Sequence, residues 1–420
     1  MSTRRGTSAP ASATIVATAG LVSLAVAMGI GRFAFTPILP MMLRDGVVDI
    51  ASASWLASAN YIGYLVGAVL CTLQPWLAAR FAWLPVAFDA PRTVRAGLAA
   101  TALLTLGMAL PWPAAWPTLR FAAGVVSAVT LIHTTGWCFA QLAARGRSAV
   151  GGLMFAGPGA GIVVSGIVAG MLVGAHGSAA VGWALFALLA LLFTAAVWRI
   201  FDPRNDVAAL VAAAPAPAPA LGDAVAPPAS RTELATLALA YGLAGFGYIV
   251  TATFLPVIAL AALPGSPWID LFWPLFGIGT IVGAVLAMNI GVGADRRLLL
   301  AGAHAVQAGG VALGLVWPSV PGFVAGSLLV GLPFTTITYF ALQEARRLRP
   351  LHAASAIGLV TALYGVGQIA GPPMVAALVD RSTSAAAGFN ESLAIAAAVL
   401  LLGGGLYVAM WKRWPMPVRR

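Results

Sequence analysis

Long apolar segments separated by short polar loops recur along the whole chain. A helix needs about 20 mostly apolar residues to cross the hydrocarbon core of a bilayer. Strands of a membrane β-barrel would be shorter and would alternate polar with apolar residues. The pattern therefore predicts an all-α membrane protein with twelve transmembrane helices. We place these helices at residues 13–36, 54–77, 94–112, 118–143, 149–174, 179–200, 234–260, 268–291, 298–317, 321–341, 354–379 and 393–411.

The composition also favours a membrane protein. Of the 420 residues, 60% are hydrophobic and 8% are charged, whereas soluble domains carry about 25% charged residues. A signal peptide would explain one apolar segment at the N-terminus, but not similar segments along the whole length. The net charge of +11 is carried by basic residues in short loops between apolar segments. We interpret them as residues that face the membrane surface, and we expect no nucleic-acid partner.

The positions of Lys and Arg predict the orientation of the chain. If the N-terminus is cytoplasmic, nineteen of the 23 basic residues lie on the cytoplasmic side, as the positive-inside rule requires. We therefore expect a multi-pass protein of the bacterial inner membrane with both termini in the cytoplasm.

An Ala/Pro-rich segment divides the predicted helices into two groups of six. Residues 208–230 read "AALVAAAPAPAPALGDAVAPPAS", and repeated prolines favour an extended, semi-rigid spacer. We predict an N-terminal six-helix half at 1–202, a cytoplasmic linker at 203–232 and a C-terminal six-helix half at 233–420.

The two halves repeat each other in sequence. The segment "GIGRFAFTPILP", which starts at Gly29, is matched 216 residues later by "GFGYIVTATFLP". At the same offset, "GYLVGAVL" is matched by "GTIVGAVL". At an offset of 202, "RFAAG" is matched by "GFVAG" and Gln141 by Gln343. Because six is an even number, both halves enter the bilayer in the same direction, which predicts two parallel six-helix repeats.

This organisation resembles a known family of transporters. Parallel six-helix repeats form the two halves of major facilitator (MFS) transporters, whose substrate site lies between the halves. The sequence resembles that superfamily over nearly its full length. "GIGRFAFTPILP" followed by "NYIGYLVGA" resembles its YbfB/YjiJ-like branch. The resemblance implies the MFS fold and transport by alternating access, in which the site faces one side of the membrane and then the other.

Three shorter motifs are similar to superfamily signatures. "LRFAAG" contains Arg120 four residues before a glycine, "GPGAG" contains Gly157 and Pro158, and "GADRR" contains Asp295 and Arg296. The resemblance implies gating or coupling roles for these five residues. The loop after the second helix departs from the family pattern in its spacing. On its residues alone, Arg120 is equally well explained as an interfacial anchor that reaches the lipid headgroups.

One arginine lies inside the first apolar segment. A charge at the bilayer centre costs at least about 2.5 to 3.5 kcal/mol on insertion scales, so Arg32 requires an explanation. It can reach outward to the headgroups, bind an anionic substrate in a central cavity, or close the outer gate with Asp45 or Asp49. We predict that Arg32 contacts substrate.

Polar and aromatic residues also recur at helical spacing. Residues four apart share one helix face, and four such pairs fall on helices that line the cavity in the superfamily. Helix–helix hydrogen bonding is the alternative role for each pair. Together with Tyr248, at the repeat position of Arg32, the predicted substrate-binding residues are Asn60, Tyr64, His133, Trp137, Thr335, Tyr339, Tyr364 and Gln368.

The sequence contains no catalytic constellation, so we expect neither an enzyme nor a cofactor. Lys412 is the only lysine, which excludes a phosphate-binding Walker loop. The four histidines show no metal-ligand spacing, and we interpret Cys71 and Cys138 as packing residues. The acidic residues fall in predicted loops or at helix ends. A cationic substrate is therefore disfavoured, and the proton remains only a candidate coupling ion.

These observations favour a secondary transporter of a small organic molecule, either anionic or zwitterionic. One alternative is a proton-antiport efflux pump for metabolites or drugs, and another is a transporter-like membrane sensor that binds ligand without moving it. We expect the small-molecule substrate and the lipid bilayer as partners, and a monomeric protein.

The orientation can be tested with a topology reporter. Alkaline phosphatase fused after Pro228 should be inactive, because the linker is expected in the cytoplasm, whereas a green fluorescent protein fused at the same position should fluoresce. Active phosphatase without fluorescence at this position would reverse the predicted orientation.

Overall fold

The computed structural model describes residues 12–80, 89–205, 230–290, 295–349 and 353–415, and within these ranges the chain is helical without strands. We number the twelve long helices in chain order. They are α1 (Ala13–Arg44), α2 (Ile50–Arg80), α3 (Ala90–Gly107), α4 (Trp116–Ala144), α5 (Gly157–Gly174), α6 (Ala179–Val197), α7 (Arg231–Ala262), α8 (Ile269–Asn289), α9 (Arg296–Val316), α10 (Val320–Leu348), α11 (Ala353–Arg381) and α12 (Ala385–Arg413).

Each of the twelve predicted segments overlaps one of these helices. In the described part of the chain, eleven helices are long and apolar enough to cross a membrane. The remaining helix, α3, has 18 residues and carries Arg92 and Arg95 near its start; it packs against α4 and α6 inside the same bundle.

The largest differences from the predicted boundaries, of eight residues each, are at α1, α5 and α12. At α5, residues Ser148–Ala156 form a 3₁₀-helix and the α-helix begins only at Gly157. Helix α1 continues eight residues beyond the predicted end, through Pro37 and Pro40, because the neighbouring helices pack on this segment and stabilise it despite the missing N–H groups. Helix α12 begins eight residues before the predicted start, and its second turn contains Asn390, Glu391 and Ser392, polar residues that the hydropathy criterion excluded. Most of the predicted linker, at 206–229, lies outside the described residues.

Helix α1 is interrupted in its middle. It contains a π-helical segment at Ala25–Ile30, followed by turns before regular α-helix resumes at Phe35. Since Pro37 has no N–H to donate to the carbonyl of Phe33, that carbonyl accepts the N–H of Thr36 instead, at 3.2 Å. The irregular backbone leaves carbonyl groups available to other partners, and Arg32 lies within this region.

Glycines allow neighbouring helices to approach until their backbones touch. A Cβ atom added at Gly63 of α2 would lie 1.9 Å from the carbonyl oxygen of Phe121 in α4. The repeat counterpart of Gly63 is Gly279, whose added Cβ would lie 2.5 Å from the carbonyl oxygen of Leu328 in α10. Such close crossings are typical of membrane bundles, and the repeat in sequence is thus also a repeat in packing.

We refer to α1–α6 as the first set of helices and to α7–α12 as the second set. The two sets meet along a seam where α2 packs against α11 and α5 packs against α8. The face of the bundle at which α1 begins and α12 ends is called the terminal face, and the opposite face is called the distal face.

Candidate functional site

Arg32 lies at the seam and contacts the second set of helices directly. Its side chain is only 3% exposed, and Nη2 donates a hydrogen bond of 2.6 Å to Oε1 of Gln368 in α11. The guanidinium therefore points into the bundle and does not reach outward to the headgroups, which rules out the snorkelling interpretation for this conformation.

No carboxylate of the described chain forms an ion pair with Arg32. The two carboxylates proposed as outer-gate partners are engaged elsewhere: Asp45 pairs with Arg44 at 3.0 Å and accepts the N–H of Ala179, and Asp49 bonds Ser52. The predicted gate through Asp45 or Asp49 is thus not formed in this structure.

Aromatic rings surround the guanidinium. Its central carbon lies 4.1 Å from the ring centre of Tyr64, 5.0 Å from that of Tyr61 and 5.3 Å from that of Phe33. A cation over aromatic faces is attracted to their electron density. These contacts partly replace the hydration that the cation loses inside the bundle.

Gln368 connects Arg32 to a stack of tyrosines. Its Nε2 donates to the hydroxyl of Tyr248, and the ring of Tyr248 lies 5.7 Å from that of Tyr364 at an interplanar angle of 15°. Tyr364 in turn stacks on Tyr241 at 4.3 Å. We call Arg32, Tyr64, Tyr248, Tyr364 and Gln368 the arginine cluster. All five are among the residues that the sequence analysis predicts to bind substrate, and that role stays a prediction.

The cluster joins positions that are equivalent in the sequence repeat. Arg32 and Tyr248 are related by the offset of 216, and both bond the same amide, that of Gln368. Thr36 and Ala252 are related in the same way, and the Thr36 hydroxyl donates to the Ala252 carbonyl at 2.6 Å. The repeats therefore meet here near a local two-fold axis.

Two further hydrogen bonds cross the seam. The Tyr61 and Thr253 hydroxyls lie 2.9 Å apart, and Ser58 donates to the carbonyl of Ile369 at 3.2 Å. With the bonds of Arg32 and Thr36, four hydrogen bonds join the two sets within the described residues. The other three hydrogen bonds, those of Thr36, Ser58 and Tyr61, lie between the arginine cluster and the distal face. The described hydrogen bonds across the seam thus lie at the arginine cluster or on its distal side.

Arg120 supports the backbone of Arg32. It is 2% exposed, its Nη2 donates to the carbonyl of Arg32 at 3.1 Å, and its Nη1 lies 3.4 Å from the carbonyl of Gly31. These carbonyls belong to the irregular part of α1. The anchor interpretation of Arg120 is wrong for this structure, because the side chain is buried between helices and does not extend to the surface.

Some predicted substrate-binding residues lie outside the cluster. Asn60 is fully buried, and its Nδ2 bonds the carbonyl of Arg120 at 2.9 Å, so it joins α2 to α4. His133 is hydrogen-bonded to the Val129 carbonyl one turn earlier. Trp137 packs on Phe201 with ring centres 4.9 Å apart, inside the first set. These contacts are consistent with the alternative role given above for the spaced pairs, which is to form interactions within and between helices.

The pair on α10 occupies an intermediate position. Thr335 and Tyr339 are related to His133 and Trp137 by the offset of 202. Both are half-buried, and the ring of Tyr339 lies 6.4 Å from that of Phe155, which precedes α5. Tyr339 therefore lies at the seam, on the terminal side of the arginine cluster.

The Gly-Pro motif lies at a crossing of three helices. A Cβ at Gly157 would lie 2.3 Å from the carbonyl oxygen of Leu21 in α1, and a Cβ at Gly159 would lie 2.7 Å from that of Gly277 in α8. Pro158 stands in the first turn of α5, where its missing N–H costs no helical bond. The motif thus places α5 against both α1 and the second set.

The motif at the start of α9 forms a charged network in which Arg297 is central. Asp295 caps α9 and pairs with Arg297 at 2.8 Å. Arg297 also approaches Glu233, at 3.8 Å, and Glu344, at 4.0 Å. Arg296 donates to Oε1 of Gln343 at 3.0 Å, and its gating role stays a prediction.

Sequence reasoning missed Arg297, although the repeat contained a signal for it. Arg297 matches Arg95 at the offset of 202, and Trp414 matches Trp198 at the offset of 216. Arg95 donates to the carbonyl of Trp198 at 2.8 Å, and Arg297 donates to the carbonyl of Trp414. Each set of helices thus has one arginine that ties its third helix to the end of its sixth.

Within the described residues, no group of three or more His, Cys, Asp or Glu side chains could hold a metal ion. The arginine cluster instead offers a cation, an amide and phenol hydroxyls, which are groups that bind a polar organic molecule.

Comparison with known proteins agrees with this architecture. Residues 24–408 match the family described as the uncharacterised MFS-type transporter YbfB. The chain belongs to this MFS family. Membership confirms the resemblance of the sequence motifs and supports membrane transport as the general activity. No curated protein matches the sequence significantly.

A solved structure shows the same fold. The chain is similar to a crystal structure of a mutant of the nucleoside transporter NupG, with a TM-score of 0.68 and 14% sequence identity over 95% of this chain and 100% of the NupG chain. At this identity the similarity shows the fold alone, and it confirms the predicted MFS fold.

The contact of Arg120 with α1 predicts a loss of stability on substitution. In Arg120→Met, the carbonyl of Arg32 loses its donor, and a buried group left unpaired costs about 1 to 3 kcal/mol. We expect a lower melting temperature of the purified protein in detergent, measured by the loss of the monodisperse peak after heating. Arg92→Met is the matched control, because the Arg92 side chain is 77% exposed. Equal melting temperatures for the two variants would show that the Arg120 contacts contribute nothing.

Proposed function

We propose that this protein is a secondary transporter that moves a small organic anion or zwitterion across the bacterial inner membrane by alternating access. We infer that Arg32 contacts the substrate. Tyr64, Tyr248, Tyr364 and Gln368 form the rest of the proposed site. The termini and the terminal face lie in the cytoplasm in this proposal, and the protein acts as a monomer.

The charge of Arg32 is the observation that supports this proposal. Its guanidinium is buried at the seam and is bonded to a neutral amide. A buried cation is costly unless an anion or several hydrogen bonds compensate it. Since no described carboxylate pairs with Arg32, the site has an unbalanced positive charge, which an anionic substrate group would neutralise.

The position of Arg32 supports coupling between binding and movement. The arginine belongs to the first set of helices and Gln368 to the second, so any ligand that enters between them changes a contact across the seam. The other three hydrogen bonds across the seam lie toward the distal face. We infer that the two sets are the moving halves and that these bonds break when the distal face opens.

Transport in proteoliposomes tests the proposal. The purified protein should accumulate at least one labelled compound from a panel of small carboxylates and zwitterionic amino acids, assayed with and without a pH gradient. Arg32→Gln should lower the rate at least about tenfold, because a charge-assisted hydrogen bond is lost. Arg92→Gln, at an exposed position outside the site, should retain the wild-type rate, and all proteins should show equal reconstitution.

Two outcomes contradict the proposal. Transport restricted to cations or neutral nucleosides would show that Arg32 does not select an anionic group. Binding of a panel member without accumulation under any gradient would show a sensor instead of a carrier.

A further inference from the structure

The hydrogen bonding of Arg32 identifies an unfilled donor. One edge of a guanidinium presents the Nε and Nη2 donors side by side. In this structure Nη2 donates to Gln368, whereas Nε is buried and has no hydrogen-bond partner within the described residues. A buried donor without a partner is costly. The edge is therefore only half satisfied by the amide.

A carboxylate would satisfy the whole edge. It has two equivalent oxygens in the spacing that matches two parallel N–H donors of arginine, and this pairing is both charged and bidentate. An amide has the same planar shape but only one acceptor oxygen and no charge. Gln368 thus occupies the position that a carboxylate would take, with half of the hydrogen bonds.

We propose that the substrate is a monocarboxylate with a flat apolar body and that it binds Arg32 by displacing the amide of Gln368. This inference rests on the proposed function and specifies its substrate class. Gln368 acts as a substitute ligand that keeps the cation satisfied, and keeps the seam closed, while the site is empty.

The surroundings favour a single negative charge. Arg120 of α4 contacts the same part of α1, and its Nη1 and Nη2 already donate to backbone carbonyls there. Only its Nε has no hydrogen-bond partner, so Arg120 offers a second carboxylate one N–H and no open bidentate edge. An ammonium group on the ligand would find no carboxylate at this site, because no described acidic residue forms a hydrogen bond or an ion pair with the arginine cluster.

The rings around Arg32 favour a flat apolar body. Tyr64 lies over the guanidinium, and Phe334 packs on both Tyr248 and Phe33, with ring centres 4.9 and 5.7 Å apart. Aromatic side chains pack well on flat rings through offset or edge contacts. A ligand whose carboxylate pairs with Arg32 would place its body among these rings.

Binding of three related compounds to the purified protein tests the proposal by titration calorimetry. Benzoate carries the carboxylate, benzamide is its neutral counterpart of the same shape, and benzylamine carries the opposite charge. Benzoate should bind at least about tenfold more tightly than benzamide, because only the carboxylate forms a bidentate charged pair. Benzylamine should not bind. Benzamide binding as tightly as benzoate would overturn the proposal.

Variants of Gln368 separate displacement from simple contact. In Gln368→Ala no amide competes for Arg32, so the affinity of this variant for benzoate should be at least about threefold higher than that of the wild type. Gln307→Ala is the matched control, since Gln307 is a buried amide that bonds the Val330 carbonyl away from the seam. The affinity of Gln307→Ala for benzoate should equal that of the wild type.

Arg32→Lys should bind benzoate about tenfold more weakly than the wild type, because lysine lacks the planar fork. Weaker binding in Gln368→Ala would show that Gln368 holds the ligand and would overturn displacement.

The result distinguishes this inference from the proposed function. If Arg32-dependent transport is found for an anion other than a carboxylate and benzoate does not bind, the substrate class is wrong while the transport function stands. If benzoate binds as expected but neither it nor any other panel member is accumulated, the assigned site stands and the transport function is wrong.

Discussion

A positive charge buried between two sets of helices, with no negative charge among the described residues to pair with it, is the constraint on which the rest of this structure depends. Arg32 is held by one amide, by aromatic faces and by a backbone that Arg120 fixes in place. Each of these partners is neutral or positive. The bundle thus stabilises the cation without neutralising it, and the site keeps its attraction for an anion.

The irregular part of α1 makes this arrangement possible. The π-helical segment and Pro37 disturb the regular pattern of backbone hydrogen bonds, and Arg120 uses a carbonyl in this region. Gly29 and Gly31 bring the same segment close to its neighbours: a Cβ at Gly29 would lie 2.4 Å from the Cα of Gly161 in α5. A substitution in this part of α1 or in the helices that pack on it can therefore change the position of the Arg32 side chain.

Much of the fold could be predicted from the sequence, because a bilayer restricts spanning segments to long apolar helices. The offsets of 216 and 202 also predicted which positions correspond. They could not show that Arg32 and Gln368 would touch, since these residues are 336 positions apart. Spacing of four shows that two residues share a helix face, but not what that face contacts. Two pairs with the same spacing illustrate this limit. Tyr364 and Gln368 lie in the arginine cluster, whereas His133 bonds a carbonyl in its own helix and Trp137 packs on Phe201 within the first set.

We propose that the bond between Arg32 and Gln368, together with the three bonds nearer the distal face, helps to hold that face closed. Spin labels at Val47 and Thr383, in distal loops of the first and second sets, would report this directly by pulsed electron resonance, with Cys71 and Cys138 replaced by alanine. The wild-type pair should give mainly one short distance, and Gln368→Leu should add a population at longer distance, because the cation loses its partner across the seam. Identical distance distributions for the two proteins would contradict the claim.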